Sequence, residues 1–141
     1  MNIKLVHTIS VEDYNDLRSG VGWETLENEQ AQRGIENTYY LVAAIKDERT
    51  IGLTRVISDG GYIALIADVI VNPDYQGQGI GKMLVEDALT FIETHLGKDE
   101  LMVMVSLMAA KGKEKFYEKC GLRVRPNNEA GAGMCLYFNK K

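Results

Sequence analysis

Val69-Ile70-Val71-Asn72-Pro73-Asp74-Tyr75-Gln76-Gly77-Gln78-Gly79-Ile80-Gly81-Lys82 is the stretch on which the reading of this chain turns. An apolar run ends at Asn72-Pro73, a turn signal. Three glycines then alternate before Ile80, Met83, Leu84, Ala88, Phe91 and Ile92, which recur at three- and four-residue intervals. That is the period of an amphipathic helix, so the stretch reads strand, loop, helix. The start of such a helix presents unpaired N–H groups and the positive end of the helix dipole at one spot. Glycines, lacking Cβ, let the main chain approach a bound phosphate closely. Gln76, Gly77, Gln78, Gly79, Ile80, Gly81 and Lys82 are therefore the expected anion cradle. A tight turn also uses glycine, but three at alternate positions exceed what one turn needs.

Two other phosphate loops do not fit. A P-loop ending in Gly81-Lys82 requires glycine at position 76 and Ser or Thr at 83, where the chain has Gln76 and Met83. A dinucleotide fingerprint beginning at Gly77 requires a third glycine where Lys82 stands, within an early βαβ unit. Here a meander comes first. Thr38–Lys46, Ile51–Ser58 and Tyr62–Val71 are apolar, β-branched runs separated by Asp47-Glu48-Arg49 and Asp59-Gly60-Gly61, the pattern of antiparallel hairpins.

Further out, Ile3–Ile9 reads as a strand, and Ser10 with Asp13 as the capped start of a helix ending near Gly20. Gly20-Val21-Gly22-Trp23 is a break, and Glu24–Arg33 a second helix closed by Gly34. Downstream, Leu101–Leu107 is a nearly continuous apolar run, which suits a central strand buried on both faces. Lys111–Lys119 is a short helix stopped by Gly121, and Met134–Phe138 a final alternating strand. The expected fold is α+β: one domain over residues 1–141, with a mixed, mainly antiparallel central sheet flanked by helices.

Composition narrows the function classes. The 141 residues are 45% hydrophobic and 26% charged with 2 prolines, as in ordinary globular proteins. A net charge of -4 argues against a nucleic-acid partner contacted over a whole surface. Met1–Ser10 resembles neither a signal peptide nor a membrane span, so a cytoplasmic protein without membrane contact is expected. Cys120 and Cys135 form no CxxC and have no metal-ligand spacing, and no metal is expected. The short last strand would leave an apolar edge exposed in a monomer, which points to a homodimer.

Gln76, Gly79 and Gly81 form QxxGxG after Val69–Pro73, and Phe116-Tyr117-Glu118-Lys119-Cys120-Gly121-Leu122 follows downstream. From about Ile51 to Leu122 the chain resembles the GNAT family of N-acetyltransferases. The resemblance implies that the glycine loop holds the pyrophosphate of acetyl-CoA, the cosubstrate, and that Tyr117 lies beside the cofactor sulfur. It also implies that the backbone of Val69, Ile70 and Val71 pairs with the pantetheine arm and offers an N–H to the thioester oxygen. Two positions depart from the family pattern. Ala110 and Lys111 stand where many members carry a cofactor-contacting asparagine, and Leu122 replaces the usual phenylalanine.

Acetyl transfer requires a neutral amine, a donor for the developing oxyanion and a proton for the leaving thiolate. Tyr117, with an ordinary pKa of about 10, is protonated at neutral pH and suits the last role, although a tyrosine packed on an amphipathic helix reads the same way. Asp68 is the only carboxylate in the run Ile63–Val71, and lies either on an exposed face or beside the cleft as a base. Lys111–Arg125 is locally basic, which suits a polyanionic cofactor as well as a solvated helix face; Ser10–Asn37 is locally acidic. An acceptor that is a small-molecule amine, cationic or aromatic, follows as the expectation. The competing readings are an idle acyl-CoA-binding or regulatory module of the same fold and a nucleotide-binding domain.

Overall fold

The computed structural model describes residues 2–141. Its elements are β1 (Lys4–Val6), α1 (Val11–Gly20), α2 (Asn28–Glu36), β2 (Tyr40–Lys46), β3 (Arg49–Ser58), β4 (Ile63–Val71), α3 (Ile80–His95), β5 (Met104–Ser106) and α4 (Glu114–Lys119). The chain forms two compact units that divide between Ser106 and Leu107.

In the first unit five strands lie in the order β1-β2-β3-β4-β5. All neighbours are antiparallel except β4 and β5, which are parallel. The meander expected from Thr38 to Val71 is β2-β3-β4. Asp47 and Glu48, at the first turn, take positive φ angles of 49° and 64°, the conformation that a tight hairpin demands.

Side chains of β2 alternate between two cores. Leu41 and Ala43 join Tyr14, Leu17, Ala31, Leu53 and Ile70 beneath α1 and α2, whereas Val42 and Ala44 join Ile51, Ile80 and Leu84 beneath α3. Helices thus cover both faces, so Leu41–Ala44 is an unbroken buried run rather than an alternating one. The approach of α3 is close at Gly52, where an added Cβ would sit 3.0 Å from a Leu84 methyl and 3.2 Å from the Ile70 carbonyl.

Several boundaries differ from the sequence reading. Ser10 does cap α1, its side chain accepting from the Asp13 N–H. The second helix begins later, at Asn28, because the Glu27 side chain accepts from the N–H groups of Glu29 and Gln30 and caps it. Gly34 does not close that helix; it lies inside α2, and its carbonyl accepts from Arg55 and Thr38.

Two strand expectations fail. Leu101–Leu107 yields only three strand residues, and β5 is an edge strand with Leu101 and Met102 exposed, not a central one. An apolar run does not distinguish a strand buried on both faces from an edge, since the difference lies in which neighbours pair with it. Met134–Phe138 forms no strand in this chain. Alternation supplies two faces but not the partner edge whose N–H and C=O groups make a ladder.

In the second unit, α4 is followed by Cys120 and Gly121, whose φ of 103° and N–H bond to the Glu118 carbonyl, with the Leu122 N–H on the Tyr117 carbonyl, form a glycine-closed C-terminus. The loop beyond is pinned by Asn127, which accepts from the N–H groups of Glu129 and Ala130.

Candidate active site

The ladder between β4 and β5 pairs Ile63, Ala64 and Leu65 with Met104, Val105 and Ser106, and stops there. From Ile66 to Val71, β4 is paired through β3 only, and among the described residues no strand pairs with its other backbone edge. Just past the end of the ladder the β3–β4 register slips: Val56 faces Ile66, Arg55 faces Asp68, and Ala67 is the extra residue of a bulge. A bulge bends its strand and re-aims the backbone beyond it. Here that backbone is Asp68 to Val71.

The glycine loop follows directly. Asn72 accepts from the Asp74 N–H and caps a 3-10 turn over Pro73–Tyr75. The Gln76 side-chain amide then donates to the Val71 carbonyl at 2.9 Å and folds the loop back on the end of β4. Gly77 and Gly79 take φ angles of 77° and 83°, where side chains are strained, and a Cβ added to either would meet nothing within 4 Å. Gly79 is the N-cap of α3 and no side chain caps the helix. The first N–H groups of a 16-residue helix therefore face open space beside the glycines. Ile80 is fully buried among Val42, Ala44, Ile51 and Leu84, which fixes the loop to the core. Gln78 is exposed, and Lys82 is exposed with its amine 3.8 Å from Glu86. This site fits a pyrophosphate: uncapped donors, no side chain in the way, and an immobile base.

Asp68 is 7% exposed and lies beneath α1, not on an open face. Its Oδ2 accepts from the Tyr14 hydroxyl at 2.7 Å and from Arg55 Nε at 2.7 Å, and Arg18 stands 4.0 Å from Oδ1. Arg55 also donates to the Gly34 carbonyl and to the Thr38 hydroxyl, so one ion pair ties α1, α2 and β3 to the bulge in β4. Burial raises the Tyr14 hydroxyl pKa above its ordinary 10.0, and the Asp68 charge raises it further. The guanidinium of Arg18 sits over the rings of both Tyr14 and Trp23. A carboxylate with two short bonds on one oxygen, one of them charge-assisted, is an anchor that holds the bulged strand to α1 and β3. The sequence reading missed Arg55 and Tyr14 as its partners. The available signal was Arg55 itself, a lone charge inside Ile51–Ile57, one strand away from the lone carboxylate of β4.

Tyr117 lies on α4 in the second unit, half-buried, with its ring edge-on to Phe116 at 5.0 Å. Burial raises the pKa of its hydroxyl, and neighbouring Cys120 adds to the shift, so it is protonated throughout the neutral range. Two concavities of about 550 and 610 Å³ are lined by α1, α2, the β2–β3 turn and Asn72–Asp74, and touch none of Gln76–Lys82. The first is acidic, with Asp13, Asp16, Glu48 and Asp74. Among the described residues no group of three or more His, Cys, Asp or Glu is placed to hold a metal ion, and no helix is long and apolar enough to cross a membrane.

A five-stranded mixed sheet whose parallel pair opens beside an uncapped, glycine-led helix defines an acetyltransferase-type fold. The Staphylococcus aureus protein SA2161, described as a probable acetyltransferase, superposes with a TM-score of 0.85 at 31% identity over 97% of this chain and 100% of its own. The GNAT acetyltransferase domain family matches residues 11–137, across both units, and the chain belongs to that family. Histone acetyltransferase TAP1 of Glycine max is 31% identical over 93% of the chain. Serotonin N-acetyltransferase 2, chloroplastic, of Oryza sativa subsp. japonica is 25% identical over 94%. The chain spans 58% and 65% of the lengths of these two relatives.

Proposed function

We propose that this chain is a single acetyltransferase domain that moves the acetyl group of acetyl-CoA directly onto the primary amine of a small molecule. The observation that carries the reading is the adjacency of the open β4 edge, Ile66–Val71, to the left-handed, uncapped Gly77–Gly79 loop. An extended amide-bearing arm pairs with the first, and a diphosphate sits on the second.

In this mechanism the N–H groups of the loop and of the first turn of α3 hold the pyrophosphate, and the backbone of Val69, Ile70 and Val71 holds the pantetheine. A β4 N–H donates to the thioester oxygen, which becomes an oxyanion as the amine nitrogen bonds to the carbonyl carbon. The C–S bond breaks, the thiolate takes the Tyr117 hydroxyl proton, and water returns a proton to the tyrosine. Asp68 positions β4 rather than accepting the proton of the amine, which leaves through solvent. Two relatives carry the names of cationic acceptors, histone and serotonin, and the cavity beside α1 has four carboxylates against one arginine, Arg49. These support a cationic or aromatic acceptor. A cytoplasmic homodimer completes the reading.

The test is release of free CoA thiol from acetyl-CoA in the presence of separate amines: an arylalkylamine, a polyamine, a sugar amine and a lysine peptide. Turnover with a small amine is expected. Turnover with the peptide alone would overturn the acceptor assignment, and CoA binding without turnover by any amine would favour the idle module.

A further inference from the structure

Residues 21–27 connect α1 to α2, and one side chain at the end of α1 ties them to the sheet. Arg18 holds this connection in three ways. Its carbonyl accepts from the Trp23 N–H at 2.9 Å, its Nε donates to the Glu24 carbonyl at 2.7 Å, and its guanidinium lies 5.5 Å from the centre of the Trp23 ring. Asn15, three residues earlier and so on the same face of α1, secures the far end: its side chain bonds both the N–H and the carbonyl of Leu26 at 2.9 Å. The same guanidinium also reaches the sheet, with Nη1 4.0 Å from Asp68 Oδ1 and the group over the Tyr14 ring. Asp68 is the first residue beyond the Ala67 bulge.

We propose that Arg18 is a positioning residue for the acceptor amine: it clamps residues 21–27 to the β4 bulge, so that the wall over Asp68 and the backbone re-aimed by the bulge keep one geometry. The proposal rests on the acetyl-transfer reading above.

A cation in the last turn of a helix is favoured by the helix dipole alone, and a lysine would serve that purpose equally. It would not serve the clamp. A guanidinium directs separate N–H groups to the Glu24 carbonyl and toward Asp68 while its plane lies over aromatic rings, whereas an ammonium has one nitrogen for all of them. Neutralising Asp68 does not require Arg18 either, since Arg55 Nε already bonds Oδ2 at 2.7 Å. What Arg18 adds is the link from that carboxylate to Trp23 and Glu24. At 16% exposure its side chain is largely withdrawn from water, as a solvated helix-end cation is not. Loosening the clamp frees the α1 side of the bulge and leaves Gln76–Lys82, beyond the other end of this stretch of β4, untouched.

Trp23 is the only tryptophan in the chain, so its fluorescence reports on the connection directly. In Arg18→Lys, acrylamide should quench Trp23 more strongly than in the wild type. KM for the amine should rise about tenfold while kcat and the calorimetric affinity for CoA stay within about twofold. Asn15→Ala releases Leu26 with Arg18 still beside Asp68; it should move quenching and KM in the same direction, and it carries the test if the lysine variant does not fold. Wild-type quenching in the folded variants would overturn the clamp. Stronger quenching with a wild-type KM, or a fall in kcat at constant KM, would overturn its role toward the acceptor. A wild-type chain that turns over no amine would overturn the acetyl-transfer reading and that role together, whereas the clamp itself stands or falls on the quenching.

Discussion

Replacing Asp68 with alanine leaves the Arg55 guanidinium without its carboxylate in a place where both side chains are nearly buried, 11% and 8% exposed. Arg55 would keep the Gly34 carbonyl and the Thr38 hydroxyl, but neither carries charge. Removing one partner of a buried ion pair costs about 3–5 kcal/mol, because the surviving charge is not resolvated. The Tyr14 hydroxyl loses its acceptor at the same time. Against a total stability of about 5–15 kcal/mol for a domain, the variant should unfold at much lower urea. Replacing Tyr14, Arg55 and Asp68 together, as Tyr14→Phe, Arg55→Met and Asp68→Leu, removes the three most closely bonded polar groups, leaves Arg18 bonded to the Glu24 carbonyl, and should recover most of the loss. The assay is equilibrium urea unfolding of the single, double and triple variants, followed by kcat for each folded one. A single-variant cost below about 1 kcal/mol, additive with that of Arg55→Met, would refute the network. Stability recovered in the triple variant with kcat still abolished would return Asp68 to the role of proton acceptor.

Gly79→Asp places a carboxylate at the N-cap of α3, in open space and in a left-handed conformation that Asp tolerates better than most residues. Thermal stability should change little while CoA affinity, read by calorimetry, falls about a hundredfold, or ~2.7 kcal/mol; unchanged affinity would remove the pyrophosphate from this loop. Tyr117→Phe should keep CoA affinity and lower kcat by about a hundredfold, the lower end for a general acid, since a thiolate leaves with partial help. A wild-type kcat at saturating acetyl-CoA would exclude the proton donation. Because burial and Asp68 raise the Tyr14 pKa in the folded state above 10.0, its contribution to stability is complete below pH 10 and is lost as pH climbs through the folded value. Urea midpoints measured from pH 8 to 11 should therefore decline above pH 10, and less steeply in Tyr14→Phe.

The parts of the fold legible in the sequence were those fixed by neighbours along the chain. The β2-β3-β4 meander has turn residues between apolar runs, α3 has an unmistakable period, and Ser10 sits where a cap is needed. The loop Gln76–Gly81 was legible for the same reason, since its glycines and the helix behind them are contiguous. What stayed hidden depends on partners distant in sequence. Leu101–Leu107 looked central because it is apolar, although its neighbours decide its place, and Met134–Phe138 alternates without having a ladder in this chain. Asp68 was noticed, yet its engagement by Tyr14, 54 positions away, and by Arg55 through a bulge has no local signature. Gly34 misled because glycine after a helical pattern usually ends it, whereas here the chain continues helical to Glu36.

Ile80 belongs at once to the loop and to the core beneath α3. Its backbone opens α3 at the proposed pyrophosphate site, while its side chain packs among Val42, Ala44, Ile51 and Leu84. Folding and ligand capture are thereby linked through one residue. A ligand that grips this turn lends the whole first unit thermal resistance in proportion to the logarithm of its concentration. Conversely, a lesion as remote as a shortened Leu84 would register as poor ligand affinity before any unfolding is visible. Under the proposed reading, melting temperature becomes a reporter of occupancy at the Gln76–Gly81 loop.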